Sequence, residues 1–279
     1  MAVTINSNLA ALTARKNLDV SQSNLATSIA RLSSGMRITR ASDDAAGLAI
    51  SEKLNAQIRG FAQASRNAAN GISVVATAEG ALNEVTNILT RMRELAVQAS
   101  SGDLGDGERS NLDSEYQQLL TEIDRISNAT KFNGANLLSG TGSSSITFQI
   151  GINSGSDNVI SVTFSGVNTA GLGGTNKISG TAITTADSAM VQLEKIDSAI
   201  SQVTTIRGSF GAMQNRLESV IRNLAVTIEN TTAANSRIRD VDVAEETASY
   251  TKNQILVQAG VSVLAQANQQ PSIALSLLK

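Results

Sequence analysis

The chain has 279 residues, 22 of them basic and 24 acidic, for a formal net charge of −2. It has no His, Cys or Trp, a single Pro and 3% aromatics. The near-balanced charge leaves no nucleic-acid footprint, and without His or Cys there is no Ser-His or Cys-His nucleophile pair, no thiolate and no His- or Cys-ligated zinc.

Carboxylates, Lys, Tyr and hydroxyls remain, so composition alone does not exclude an enzyme, but no cofactor or metal is expected. The apolar content is mostly Ala, Leu, Ile and Val, which suits long helices with narrow seams. No apolar run approaches the roughly 20 residues of a membrane span, so no membrane insertion is expected. Residues 1–17 lack a basic segment followed by an apolar core, so a general secretory signal peptide is not expected. Export, if it occurs, then needs another route.

In chain order, the first helix is predicted from about Ile5 to Leu32. Ala11, Leu18, Leu25 and Leu32 recur every seven residues, with Ile29 between the last two. Such a narrow stripe needs a partner helix. Ser33, Ser34 and Gly35 break the pattern. Ser42 is the expected N-cap of a second helix, Asp43 to about Phe61 or further, with Asp43 and Asp44 in its first turn, where carboxylates favour the helix dipole. Read instead as a paired-carboxylate acid/base site, adjacent helical residues point apart, and capping is preferred.

The strongest periodicity lies between Ile72 and Ser100. Val75, Ala78, Leu82, Val85, Leu89, Met92, Ala96 and Ala99 alternate spacings of three and four, a seam that as helix would be roughly 45 Å long. Gly102, Gly105 and Gly107 end it. A further helix over about Glu108–Ser127 carries Leu112, Tyr116, Leu119, Ile123 and Ile126. The short connection makes it an antiparallel partner.

The middle of the chain alternates in type. Residues 146–152 and 159–164 each show period-two apolar positions around a Gly/Ser/Asn turn, which reads as a β-hairpin near 146–164. Residues 166–184, with five glycines, are expected to form a short exposed loop. Gly171–Gly174 lacks the Gly-Lys-Ser/Thr ending of a phosphate loop. Asn128-Ala-Thr130 and Asn230-Thr-Thr232 fit an N-glycosylation pattern that arises readily by chance.

Helical pattern resumes near Thr185, with Leu193, Ile196, Ile200, Val203, Phe210, Leu217, Ile221, Leu224 and Ile228 on one seam. Arg207 and Gln214 occupy seam positions where polar groups set register at a cost. The last segment, Asp240–Lys279, carries Leu256, Val257, Val261, Val263 and Leu264, with interruptions expected at Gly260 and Pro271. The fold class is therefore mainly α: an elongated coiled-coil-like helical bundle built from both chain ends, with a small central β-hairpin region.

The central seams can close on each other. The two ends are lean helices without another partner in sequence, and pairing them buries little, so they should be frayed alone. Stacking with further copies would order them, and heterologous contacts that do not close generate filaments.

An ordered series of motifs resembles the bacterial flagellin family. It comprises Leu32–Ile38 (Leu-Ser-Ser-Gly-Met-Arg-Ile), Asp43–Ile50, Gln63–Ser73, Glu79–Val85 and Arg91–Gln98. It continues with Gly211–Leu217, Ser236–Asp242, Ile255–Gly260 and Leu264–Gln269, then Pro271 and Leu275–Leu278. The resemblance covers roughly residues 1–165 and 185–279. It departs at Val243, where an aromatic is common, and at Ser272, where Gln is common.

The resemblance implies a structural filament subunit for swimming motility, not an enzyme. It implies an inner domain from 1–43 and 240–279, a rod domain from 44–165 and 185–239, and 166–184 in place of large outer domains. It implies self-assembly through Leu18, Leu25, Ile29, Leu32, Leu256, Val263 and Leu264. The implied partners are other copies of the chain, a flagellar export chaperone at the C-terminal segment, filament cap and hook-junction proteins, and the animal Toll-like receptor for flagellin. Receptor contact is expected at Arg91, Leu95 and Glu115. The charges of Arg91, Arg93 and Glu94 read equally as a solvated, paired helix face. The implied location is the secreted, extracellular flagellum, reached by type III export. The alternatives are a flagellin-like hook-filament junction protein and a cytoplasmic coiled-coil adaptor.

Overall fold

The computed structural model describes residues 7–140, 144–174 and 177–276. The expected helix start at Ile5 and the terminal residues 277–279 lie outside them. Within that range the chain forms α1 (Leu9–Ser34), α2 (Ala45–Ala99), α3 (Asp106–Ala129), β1 (Lys131–Phe132), β2 (Ala135–Asn136), β3 (Ser144–Gln149), β4 (Val159–Phe164), α4 (Ala186–Arg239) and α5 (Val243–Ser276). These make two compact units, one from the residues up to Ile58 with those from Glu229 on, the other from Arg59–Ile228.

In the first unit, Asn8 caps α1 by accepting from the Ala11 amide at 3.0 Å, and Gly35 closes its other end at φ 69°. The second helix starts later than its sequence suggests. Asp44, not Ser42, is its cap: its Oδ1 accepts from the Gly47 amide at 2.8 Å. Asp43 instead closes the preceding turn, accepting from the Thr39 amide and hydroxyl and from the Arg40 amide. Those bonds favour the charged carboxylate, the Arg40 amide first and then Thr39, and hold Asp43 below the usual aspartate range. Both carboxylates thus serve the backbone, which accounts for the adjacent pair without acid/base chemistry.

The helix expected from Asp43 to about Phe61 or further and the seam of 72–100 join as one helix of 55 residues. Gly60 and Gly71 lie inside it without breaking it. Beside Gly71, a Cβ would stand 3.2 Å from Leu217 and 3.3 Å from Phe148, so the glycine admits close neighbours. The expected breaks in the last helix are also absent: α5 runs through both Gly260 and Pro271.

The core of the second unit follows the α2 seam: Val75, Ala78, Leu82, Val85, Leu89, Met92, Ala96 and Ala99 are all fully buried. Tyr116 and Ile123 face it from α3, and Ile196, Val203, Phe210 and Leu217 from α4. Gln214 sits on this seam as the pattern requires and donates to Glu79 at 3.0 Å, so its polar head is matched. Arg109, buried on α3, donates from Nε to the Ala99 carbonyl and from Nη2 to the Ser101 carbonyl at 3.0 and 2.7 Å. It thereby satisfies carbonyls that the end of α2 leaves open.

β3 and β4 pair antiparallel in the register Ile146↔Val162 and Phe148↔Ile160. Ile160, Val162 and Phe164 point into the core, where Phe164 meets Phe210 edge-on at 5.4 Å. A second, two-residue hairpin, β1–β2, was not foreseen from pattern.

In its described residues the loop 166–184 is not an exposed tip, contrary to expectation. Val167, Leu172, Ile178 and Ile183 are fully buried. Its backbone is held by helix side chains: the Thr169 amide and hydroxyl donate to Asp124, and the Ile183 amide to Asp113. The Gly173 amide donates to Gln202, and the Thr181 carbonyl accepts from Gln117. Buried backbone groups need such partners, and these make the segment a strap sealing the core.

Candidate functional site

The chain ends meet as an antiparallel pair. Asn8 Nδ2 donates to the Ala267 carbonyl at 2.7 Å, Leu18 lies against Gly260, and Arg31 pairs with Glu246 at 3.5 Å. Met36 bridges to Asp240 at the turn-side end. The seam is thin. Among the described residues of α1 and α5, Leu18 and Ala267 are the buried apolar side chains, joined by buried Ser28. Small residues let the helices approach but supply little apolar area.

The outward faces are correspondingly rich in aliphatics. Leu9, Leu12, Val20 and Ile29 on α1 are exposed, as are Val243, Ile255, Leu256, Val261 and Val263 on α5. Of the seven residues expected to drive assembly, Leu18 sits on the α1/α5 seam. Leu25, Leu32 and Leu264 are half-buried, and Ile29, Leu256 and Val263 look outward at 50%, 44% and 54% exposure. The expected group therefore divides into residues that pair the ends and residues left free to meet something else. The heptad spacing distinguishes them only after the partner helix is placed, because each helix has two sides.

Beside the pair, the link Gly35–Ile38 docks on the end of α4. The Arg37 amide donates to the Arg239 carbonyl at 2.7 Å and the Val241 amide to the Gly35 carbonyl at 3.1 Å. Arg37 Nη2 reaches the Ile238 carbonyl at 2.8 Å. Arg239 closes the node, with Nη1 on Glu52 at 2.6 Å and Nε on the Met36 sulfur at 3.1 Å. Ile38 is buried over Gly47, where a Cβ would come within 2.9 Å of its Cδ1. Arg239 and Glu52 were not singled out from sequence, although both lie in or next to the quoted motifs, whereas Gly47 is the position inside the second helix at which sequence allows a close neighbour.

The second candidate surface is on α2 and α3. Arg91 is exposed and joins Glu94 at 3.0 Å and Glu115 at 2.9 Å. The hydrogen bonds it donates to these carboxylates, Glu94 first, favour its charged form and raise its pKa. Arg93 pairs with Asp197 of α4 at 2.7 Å. Leu95 is different: it is fully buried among the core residues. It supports the surface from beneath and is not available to a partner, which corrects its place among the expected contacts.

The terminal pair also borders an open cavity. Lying between α1 and α5, it has a volume of about 640 Å³ and is lined by Asn24, Arg31, Arg37, Arg237, Glu245 and Glu246, among others. Its mixed charges and open form lack the apolar enclosure typical of a small-molecule site. Among the described residues, no cluster of acidic side chains could hold a metal, and no helix is long and apolar enough to cross a membrane.

Comparison with known proteins places these features in context. The family described as the bacterial flagellin N-terminal helical region matches residues 5–143, and the bacterial flagellin C-terminal helical region matches residues 193–278. The chain is 46% identical over 278 residues to a flagellin of Halalkalibacterium halodurans, covering 99% of each chain. It is 43% identical over 285 residues to a flagellar filament 31.3 kDa core protein of Treponema maltophilum, again covering 99% of each. A solved putative flagellar hook-associated protein from Vibrio parahaemolyticus superposes with a TM-score of 0.61 at 17% identity, covering 71% of this chain and 100% of that one. That last likeness concerns the fold alone.

Proposed function

The chain belongs to the bacterial flagellin family, and from that premise we propose that it is the structural subunit that polymerises into the flagellar filament. The observation that carries this reading is the imbalance of the terminal helix pair. The pair buries few aliphatics within itself and presents many outward. Exposed aliphatics on a thin pair are a contact surface in search of a partner. A second copy supplies the same surface, and repeated heterologous contact extends into a helical polymer. The name of the Treponema maltophilum relative, a filament core protein, points the same way.

In this reading residues 1–43 and 240–279 form the inner part of the filament. Residues 44–239 form the rod that carries load between copies, and 166–184 takes the place of outer domains. The subunit leaves the cell through the flagellar type III apparatus, with a chaperone on the C-terminal segment, and meets the cap and hook-junction proteins at the growing and basal ends. Arg91 and Glu115 offer an exposed charged pair to the Toll-like receptor for flagellin. The role is mechanical, not enzymatic.

The test is electron microscopy of the purified chain taken through dissociation and reassembly. Long helical filaments formed by this chain alone support the proposal. A chain that stays monomeric alone yet binds the ends of preformed filaments overturns it in favour of the hook-filament junction protein.

A further inference from the structure

The chain contains two Asn-Gly pairs, Asn70-Gly71 and Asn133-Gly134, and the fold treats them in opposite ways. We propose that Asn133 is a site of spontaneous deamidation, gated by conformation, that converts the β1–β2 turn to aspartate and isoaspartate. The inference is independent of the assembly reading.

The chemistry is intramolecular. The backbone nitrogen of Gly134 attacks Cγ of Asn133, its proton passes to solvent, and ammonia leaves, closing a five-membered succinimide. Water then adds to either ring carbonyl and opens the ring. One opening yields aspartate; the other yields isoaspartate, in which the main chain runs through the side-chain carboxyl. One water is consumed and one ammonia released for each net conversion to either acid.

The geometry favours position 133. Asn133 and Gly134 are the two central residues of a turn between paired Phe132 and Ala135, with φ of 48° and 83°. Positive φ at both positions is the turn that Asn-Gly prefers. Both residues are exposed, and nothing lies within 4 Å of the place a Gly134 Cβ would occupy. The turn is therefore open to solvent on its glycine side. The flanking strands have two residues each, so rotating Asn133 into the attacking conformation disturbs few hydrogen bonds.

Asn70 has the same sequence chemistry and none of this freedom. It lies inside α2, and Gly71 is buried against Leu217 and Phe148. Ring closure there requires a long helix to unwind within the core.

The product at 133 has a structural consequence. An isoaspartate adds a main-chain atom to a turn whose two-residue length sets the Phe132↔Ala135 register. Immediately downstream, Leu137 and Leu138 are buried, the Leu137 amide donates to Thr130 at 3.1 Å, and Ser127 donates to the Leu138 carbonyl at 2.5 Å. The lesion loosens this core-lining segment and adds negative charge, marking aged molecules.

The experiment incubates the full folded chain in mildly alkaline buffer, with a parallel sample in urea. Peptide mass spectrometry follows each site, and isoaspartate is counted by enzymatic carboxyl methylation. In the folded chain Asn133 converts roughly tenfold or more faster than Asn70, reflecting the difference in local opening; in urea the two rates converge. Asn133→Gln removes the fast methyl-accepting product from the folded sample. A folded chain in which Asn133 reacts no faster than Asn70 overturns the proposal.

Discussion

Leu18 and Gly260 meet directly across the terminal helix pair: a Cβ at residue 260 would stand 3.2 Å from Leu18 Cδ1 and 3.7 Å from its Cβ. The glycine is thus a packing device. Gly260→Val would push the helices apart, at an overpacking cost of about 1–2 kcal/mol. In the assembly reading that appears as a roughly 5- to 30-fold higher critical concentration for polymerisation, read by sedimentation. An unchanged critical concentration would show that polymerisation tolerates a wider spacing of α1 and α5.

Leu25 and Leu32 follow Leu18 at heptad spacing and are half-buried. Replacing both, Leu25→Asp with Leu32→Asp, puts carboxylates on the seam side of α1. Sedimentable polymer should be lost completely. The second unit has its own core and should keep its cooperative thermal unfolding by circular dichroism. Filaments from this double variant would show that the seam side of α1 is dispensable for assembly.

Arg109 offers a stability test remote from the chain ends. Arg109→Ala strands the Ala99 and Ser101 carbonyls and should cost about 1.5–3 kcal/mol in the free monomer. Lysine should not restore this, because its single ammonium lacks the guanidinium fork that reaches both acceptors. Denaturant midpoints of the two variants check the claim.

Tyr116 sets an alkaline limit. Burial raises its phenol above the ordinary value of 10.0, partly opposed by the hydrogen bond with Thr181. A raised folded-state pKa means the neutral phenol is the form the fold accommodates. Its contribution is whole below the ordinary tyrosine value and is lost as pH climbs through the folded value. Tyr116→Phe should lose about 1 kcal/mol at neutral pH with the hydroxyl contact, while its stability declines less steeply in alkali. Urea midpoints across the alkaline range, compared by slope, measure this.

The series of seam positions from Val75 to Ala99, the pairing of α3 with α2, the central hairpin and the two lean terminal helices are all legible in the sequence. They depend on spacing along the chain, and a period of 3.6 or 2 is a local property that each segment carries within itself. The outward aliphatics of α1 and α5 are visible there too, but not their division into inner and outer sets.

Tertiary structure alone decided the remainder. Val167, Leu172, Ile178 and Ile183 have no common period, and only acceptors and donors from α3 and α4 make it possible to bury the backbone between them. Leu95 adjoins charged residues in sequence yet lies inside, because α2 in this unit is covered on that side. Asp44 caps α2 in place of Ser42 because Asp43 closes a turn over Thr39 and Arg40, and the helix begins only after that turn. The first two outcomes are set by groups far away in the chain and the third by the turn that precedes the helix, and none of them is written in the period of the apolar residues.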